Sequence, residues 1–145
     1  VSAQVREPLD APLSAVLDAS HGVSIARLGQ RIRVAGGNEF GAAPGEMSKA
    51  TLRRLYSVLT DWFPGAVRLG GPRGSVQEWQ GVQATLPDGP PLLGQTRVPG
   101  VWLNLGHGAA GWSMACGSAR ALADRLAGRD TDIDLADYTP QRFGL

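Results

Sequence analysis

Between Val101 and Ala127 a strand, a glycine loop and a helix follow one another without a spacer, and no other stretch restricts the fold as much. VWLNL, Val101 to Leu105, predicts a buried strand. GHGAAG, Gly106 to Gly111, follows at once, and a helix runs from about Trp112 to Ala127, with Gly128 closing it. Gly106, Gly108 and Gly111 spell G-x-G-x-x-G. Inside a βαβ unit that turn sets a dinucleotide's pyrophosphate on the helix N-terminus. The unit needs a second parallel strand ending in an acidic residue, and after Gly128 the chain offers only DTDIDLADY. The full dinucleotide fold is therefore disfavoured, and a small nicotinamide-binding module remains as an alternative. The same geometry has a second use. No Asp or Glu occurs between Asp88 and Asp124, and the first turns, GWSMACGSA, carry only small, apolar or neutral side chains. The helix N-terminus is expected to keep its partial positive charge and its free N–H groups. Such an end suits an anionic or polarisable ring. A tightly packed core helix accounts for the same pattern, and the residues alone do not separate the two.

The reactive side chains in this stretch read modestly. His107 has no His, Cys or carboxylate near it in sequence, so it is expected to position the loop rather than act as a base. Ser113 lies in GWSMA, which lacks the last glycine of a nucleophile elbow and has no later histidine to complete a triad. No catalytic residue is assigned. Cys116 is expected to be a small core residue.

Upstream, GVSIARL and RIRVAG alternate apolar and polar residues around Gly29-Gln30, which predicts a β-hairpin with a type II′ turn. Leu13 to Leu17 predicts a short strand. Ser48 is the expected N-cap of a helix from Lys49 to Phe63 that ends at Pro64-Gly65. Its Leu52, Leu55, Leu59 and Trp62 follow the helical period, with Lys49, Arg53, Arg54 and Asp61 on the solvated face. Val76 to Ala84 reads as a strand, and Gly36 to Met47 and Leu86 to Gly94 as loops, the latter with a turn at Asp88-Gly89. The opening VSAQVREPLDAP is polar and Pro-punctuated, and the first residue is valine, so the chain reads as a segment of a longer protein.

With 14 basic and 13 acidic residues the net charge is +1. There is no basic stripe for nucleic acid and no polybasic segment for anionic lipid. Two histidines and one cysteine exclude most zinc-type metal sites and any disulfide framework. A lone thiol fits a reducing compartment, and no apolar run reaches the length of a membrane span.

EWQGVQATLPDGPPLLG, Glu78 to Gly94, followed by VWLNLGHGAAGWSMACGSARALADRLAG, Val101 to Gly128, resembles the C-terminal part of the D-amino-acid dehydrogenase small subunit. More broadly it resembles the FAD-dependent D-amino-acid oxidase and glycine oxidase family. VLDASHGVSIARLGQRIRVAGGNEF is similar to that family's substrate-domain hairpin, and the likeness extends from about Leu13 to Tyr138. The resemblance implies an α+β fold: an antiparallel sheet with one covering helix in residues 1–84, and in residues 85–145 a strand-loop-helix that completes an FAD domain. It implies that Gly106, His107, Gly108, Ala109, Ala110, Gly111 and Trp112 face the flavin of FAD. There the helix N-terminus would stabilise negative charge at the N1–C2=O edge. The implied partners are an upstream FAD-binding region of the same protein and a small amine or amino acid. The implied place is the cytoplasm, with peripheral attachment to the inner membrane as a variant. Cut from its partner, the Trp112 helix would leave an apolar face, so the isolated segment is expected to form a homodimer, to be inactive and to bind FAD weakly. One departure matters. Gln83 stands where the family motif has an arginine that is held to pair with the substrate carboxylate, and Ala84 and Leu86 replace its Pro and Thr. Losing that charge-assisted pair costs roughly 1.5–3 kcal/mol of binding. Gln83 is thus a substrate-contact position with changed chemistry, and Arg73 and Arg97 are candidates to replace the missing charge. A non-catalytic or substrate-shifted domain that kept the architecture is the further alternative.

Overall fold

The computed structural model describes residues 1–41, 45 and 47–145. The fold is α+β, in two compact units, Val1–Gly81 and Val82–Leu145.

The first unit is a five-stranded sheet built from β1 (Ser2–Gln4), β2 (Val16–Asp18), β3 (Val23–Leu28), β4 (Arg31–Gly36) and β5 (Val76–Gln77). The order is β2-β3-β4-β1-β5, and every pair is antiparallel. The hairpin β3–β4 turns on Gly29, whose φ is +61, and among the described residues none other than glycine has a positive φ, so Gln30 lies in the negative region. That is the type II′ pattern predicted. Helix α1 (Lys49–Trp62) starts where Ser48 Oγ accepts from Thr51 N at 3.2 Å and ends where Phe63 N donates to Leu59 O. Its Leu55, Val58 and Leu59 pack on Val23, Ile25, Ile32 and Val34 of the sheet, and these seven residues form the centre of the core. Period 2 in the strands and period 3.6 in the helix place them all on facing surfaces.

Several expectations shift. β1 lies inside the segment that reads as polar and Pro-punctuated, yet it is an interior strand between β4 and β5. The strand expected at Leu13 to Leu17 is β2, which begins three residues later and ends one later, and the strand expected over Val76 to Ala84 pairs only at Val76–Gln77. Part of the loop expected over Gly36 to Met47, residues 42–44 and 46, lies outside the described residues. Trp62 does not enter the core. It stays 54% exposed and donates its indole N–H to Asp18 Oδ2 at 3.0 Å.

Asp18 is the polar pin of this unit. It is buried, and besides Trp62 it accepts from His21 N at 3.0 Å and meets His21 Nδ1 at 2.9 Å. The Trp62 bond first, and the His21 side chain second, hold its carboxyl at about 2, below the ordinary 3.8. A carboxyl lowered on folding stabilises the folded chain fully above its unfolded value, and the benefit disappears as pH falls through the folded one. Between pH 6 and pH 2 the melting temperature of the native chain is therefore expected to converge on that of Asp18→Asn. A gap that stays constant over this range would show that Asp18 does not titrate as a pinned carboxylate.

The second unit has a two-stranded antiparallel sheet, β6 (Leu92–Gln95) and β7 (Trp102–Leu105). After β7 come a 3₁₀ turn (Gly108–Ala110), helix α2 (Gly111–Leu126) and two further 3₁₀ turns, Ala136–Tyr138 and Pro140–Phe143. Leu93, Ala121 and Leu135 form its core with Tyr138 against them. β6 occupies residues that read as loop, and β7 is half-buried to exposed rather than a buried strand. No helix among the described residues is long and apolar enough to cross a membrane.

Candidate functional site

The glycine loop leaves β7 at Gly106, whose φ of +82 lets the chain turn sharply out of the strand, and Gly108 follows at φ +53. Gly111, at φ −54, is ordinary helix and opens α2. β7 pairs with antiparallel β6, and α2 is followed by 3₁₀ turns, so the loop is not part of a βαβ unit among the described residues.

The loop is stitched to the motif around Gln83. Gly108 N donates to Ala84 O at 3.0 Å, and Thr85 and His107 form an antiparallel bridge. The side chain of Leu86 fills the space that a Cβ on Gly106 would need, and that of Thr85 does the same at Gly108. The two glycines therefore admit the chain's own neighbours, and Leu86, a departure from the family motif, is the residue packed on Gly106.

A second tie holds the other end of that segment. Leu86 to Gly89 make a turn, with Gly89 N donating to Leu86 O at 3.1 Å. Arg142 then clamps it: Nε donates to Asp88 Oδ2 at 2.6 Å, Nη1 to Pro91 O at 3.0 Å, and Nη2 to Pro90 O. The Arg142 guanidinium holds the Asp88 carboxyl below the usual carboxylate range. No sequence signal points to this pairing, because 54 residues separate the partners.

On the open side, Ala109, Ala110 and Trp112 are exposed, Trp112 at 95%. The first turn of α2 carries no acidic side chain, and its N-cap, Ala110, gives no side-chain hydrogen bond. The positive end of the helix dipole is thus uncompensated by side chains. Its N–H groups are not all free, contrary to the expectation from sequence: Ala110 N donates to His107 O at 3.1 Å, and Gly111 N to Gly108 O. His107 holds the loop through its backbone, while its ring Nε2 is buried without a hydrogen-bond partner among the described residues. An unpaired buried polar atom costs about 1–3 kcal/mol, so this nitrogen fits a group that the chain itself does not provide.

Helix α2 faces inward with Ser118, Ala121 and Asp124, and Asp124 is pinned by Arg120 at 2.9 Å and Arg129 at 2.7 Å. Arg129 first and Arg120 second keep its carboxyl below the ordinary range. Outward lie Trp112, Cys116, Ala119, Ala123 and Leu126, spaced four, three, four and three residues apart and all exposed. Cys116 is accordingly not a core residue, because the core lies on the opposite face. Gln83 is exposed and makes no hydrogen bond among the described residues, and Arg73 and Arg97 are exposed outside the strands and helices. A cleft of about 380 Å³, lined by Gln95, Trp102, Arg125, Asp134 and others, opens at the Gln95–Trp102 end of the hairpin, opposite the glycine loop.

The DAO family profile, described as FAD dependent oxidoreductase, matches residues 2–125. The chain is 39% identical over 137 residues to a D-amino acid dehydrogenase of Allorhizobium ampelinum, covering 94% of this chain and 31% of that protein. It is 38% identical over 143 residues to one of Bradyrhizobium diazoefficiens, with 99% and 33% covered. To one of Cereibacter sphaeroides it is 41% identical over 133 residues, with 92% and 30% covered. The chain spans about a third of the length of the curated relatives it matches. No solved structure matches it. Residues 2–125 thus carry the family's pattern through the sheet, the Gln83 motif and the glycine loop, and the chain belongs to the DAO family of FAD-dependent oxidoreductases.

Proposed function

We propose that the chain is the C-terminal part of an FAD-dependent dehydrogenase of D-amino acids or related amines. In this reading residues 1–84 belong to the substrate domain and residues 85–145 complete the FAD domain. The observation that carries the reading is the stitch between Ala84-Thr85 and His107-Gly108, beside a buried His107 Nε2 that lacks a partner. It makes the motif that precedes the glycine loop and the loop itself one structural piece.

FAD held by Gly106 to Trp112 together with upstream residues would supply a hydride acceptor for oxidation of a substrate C–H next to nitrogen. The chain's own residues hold and polarise. Gly106 to Trp112 present the positive end of α2, where developing negative charge is stabilised. His107 Nε2 offers one hydrogen bond there. Leu86 and the Arg142 clamp fix the loop's height and direction before any ligand arrives, so little reorganisation accompanies binding. The exposed stripe Trp112, Cys116, Ala119, Ala123 and Leu126 is where the upstream FAD-binding region would pack, since an uncharged stripe along four turns of a helix is a surface that calls for cover. Without that cover, the same stripe supports association of the isolated segment into a dimer.

Gln83 favours a second reading, a substrate-shifted or non-catalytic member, because a neutral amide replaces the charge expected for a carboxylate. The flavin spectrum of the full-length protein decides. Bleaching on anaerobic addition of D-alanine or glycine is the expected result. Bleaching by amines alone would select the substrate-shifted reading. A colourless protein that binds a nicotinamide dinucleotide would overturn both.

A further inference from the structure

Asp88-Gly89 is the only Asp-Gly step in the chain, and no Asn-Gly step occurs. An aspartate followed by glycine can rearrange through its own backbone. The Gly89 amide nitrogen attacks Asp88 Cγ, an N–Cγ bond forms, and the amide proton leaves with the hydroxyl of the protonated carboxyl as water. The product is a five-membered succinimide. Water then adds at the main-chain carbonyl of Asp88 and breaks its bond to Gly89 N, so that Gly89 stays joined through Cγ as isoaspartate. The sequence of steps consumes nothing but the water it released. It needs a carboxyl that can be protonated and an amide that can reach it, and a residue without a Cβ obstructs that approach least.

The structure favours this step in two respects and opposes it in two. Nothing lies within 4 Å of where a Gly89 Cβ would stand, and the Asp88 side chain is 40% exposed, so space and water are at hand. Against this, the Arg142 guanidinium holds both carboxylate oxygens, Nε to Oδ2 at 2.6 Å and Nη2 to Oδ1 at 3.4 Å. A carboxylate paired in this way is kept ionised, below the usual range, and has no hydroxyl to lose. The backbone is held as well. Gly89 N donates to Leu86 O at 3.1 Å, and Arg142 grips the chain beyond through Pro90 O and, at 3.0 Å, Pro91 O. Swinging Gly89 N onto Cγ breaks these bonds.

The clamp comes from the 3₁₀ turn Pro140–Phe143, too short an element to be held firmly by its own hydrogen bonds. Gln141 Nε2 ties it to Gln95 O at 2.9 Å, and the Arg142 guanidinium lies 5.1 Å from the centroid of the Phe143 ring. Local opening of this turn frees Asp88 while β6, β7 and α2 stay folded. We infer that Asp88-Gly89 is a site of spontaneous isoaspartate formation and that the Arg142 clamp holds it shut in the folded chain. The product carries one more backbone carbon inside the turn whose Leu86 packs on Gly106, so the change falls on the support of the glycine loop. This inference depends on neither the flavin nor the substrate.

The test incubates the full-length protein, its Arg142→Gln and Arg142→Lys variants, and an end-blocked peptide of the sequence Thr85–Pro91, in mildly acidic buffer. Isoaspartate at position 88 is followed over time by electron-transfer mass spectrometry. The peptide and Arg142→Gln are expected to convert about 10- to 100-fold faster than the native protein, the factor for a charge-assisted hydrogen bond that must break before the ring closes. Arg142→Lys should fall between, since it keeps the charge without the fork. A native protein that converts as fast as the peptide overturns the inference, and this comparison stands even where Arg142→Gln fails to fold. An Arg142→Gln variant that keeps amide protection in α2 and converts as slowly as the native protein also overturns it, because the clamp is then not what protects the step. A peptide that does not convert overturns it too, because the step then lacks the reactivity to need a clamp.

Discussion

Leu59→Ala is expected to destabilise the first unit by about 2–5 kcal/mol, the range for emptying a fully buried leucine site. Leu59 has no exposed surface, and with Leu55 and Val58 it fills the space over Ile25, Ile32, Val23 and Val34. The strands opposite are held by ladders on both sides, β3 between β2 and β4, and β4 between β3 and β1. They therefore have little room to collapse into a cavity, which favours the upper part of the range. For a unit of this size each kcal/mol shifts the melting temperature by roughly 4–8 °C, so the fall should exceed about 10 °C. Arg54→Ala, one turn away on the exposed face, is the control, with an expected change within about 0.5 kcal/mol. A fall of under about 3 °C for Leu59→Ala would mean that α1 does not seal the sheet.

What the sequence made legible follows the length of each signal. The hairpin β3–β4 has six residues per strand and a glycine that only one turn type uses well. Helix α1 has four turns and a serine cap, and α2 has a glycine stop. All three were read within a residue or two of their ends. β1 and β6 read as irregular or loop, and β5 as a longer strand than it is, because two to four residues carry no period. Their strand state comes from pairing: β1 with β4 and β5 with β1, both far along the chain, and β6 with β7 across the short 96–101 loop. β1 shows this most clearly: only Ala3 of its three residues points into the core, and nothing local separates Ser2–Gln4 from a loop. The inward face of α2 was hidden for another reason. Its buried positions carry Ser118 and Asp124 while Trp112 and Leu126 lie outward, so hydrophobicity alone points to the wrong side. Around the candidate site, the loop residues were legible as a motif, and the contacts that fix them were not. Ala84 with Gly108, Leu86 with Gly106 and Asp88 with Arg142 are 24, 20 and 54 residues apart. Leu86 did leave a trace, since it interrupts the family motif at the position that meets the loop.

That trace leads to the second large effect. Gly106→Ala is expected to destabilise the second unit by on the order of 2–6 kcal/mol, from two separable causes. At φ +82 any side chain is strained, at about 1–3 kcal/mol. The new Cβ would also stand 2.6 Å from Leu86 Cδ1 and 2.7 Å from its Cγ, and overpacking of this kind costs about 1–3 kcal/mol more. The causes separate in a double mutant. Leu86→Thr, which restores the family residue, removes the clash and leaves the strain, so Gly106→Ala should cost less in the Leu86→Thr background than in the native one. Equal costs in both backgrounds would mean that Leu86 does not occupy the space over Gly106. Local reporters should agree. Relief of the clash requires the Leu86 segment or the loop to move, and Gly108 N and Ala84 O lie on opposite sides of that contact. The Gly108 amide should then lose hydrogen-exchange protection in Gly106→Ala while amides in the middle of α2 keep theirs. Gly117→Ala gives the opposite sign and completes the argument. Gly117 is inside α2, its φ is ordinary, and nothing lies within 4 Å of where its Cβ would go. In the isolated chain that substitution should stabilise α2 by about 0.5–1 kcal/mol, the usual difference between glycine and alanine in a helix. In the full-length protein a neighbour packed on the outward face of α2 would reduce or reverse the gain. An identical gain in both would show that this part of α2 stays uncovered.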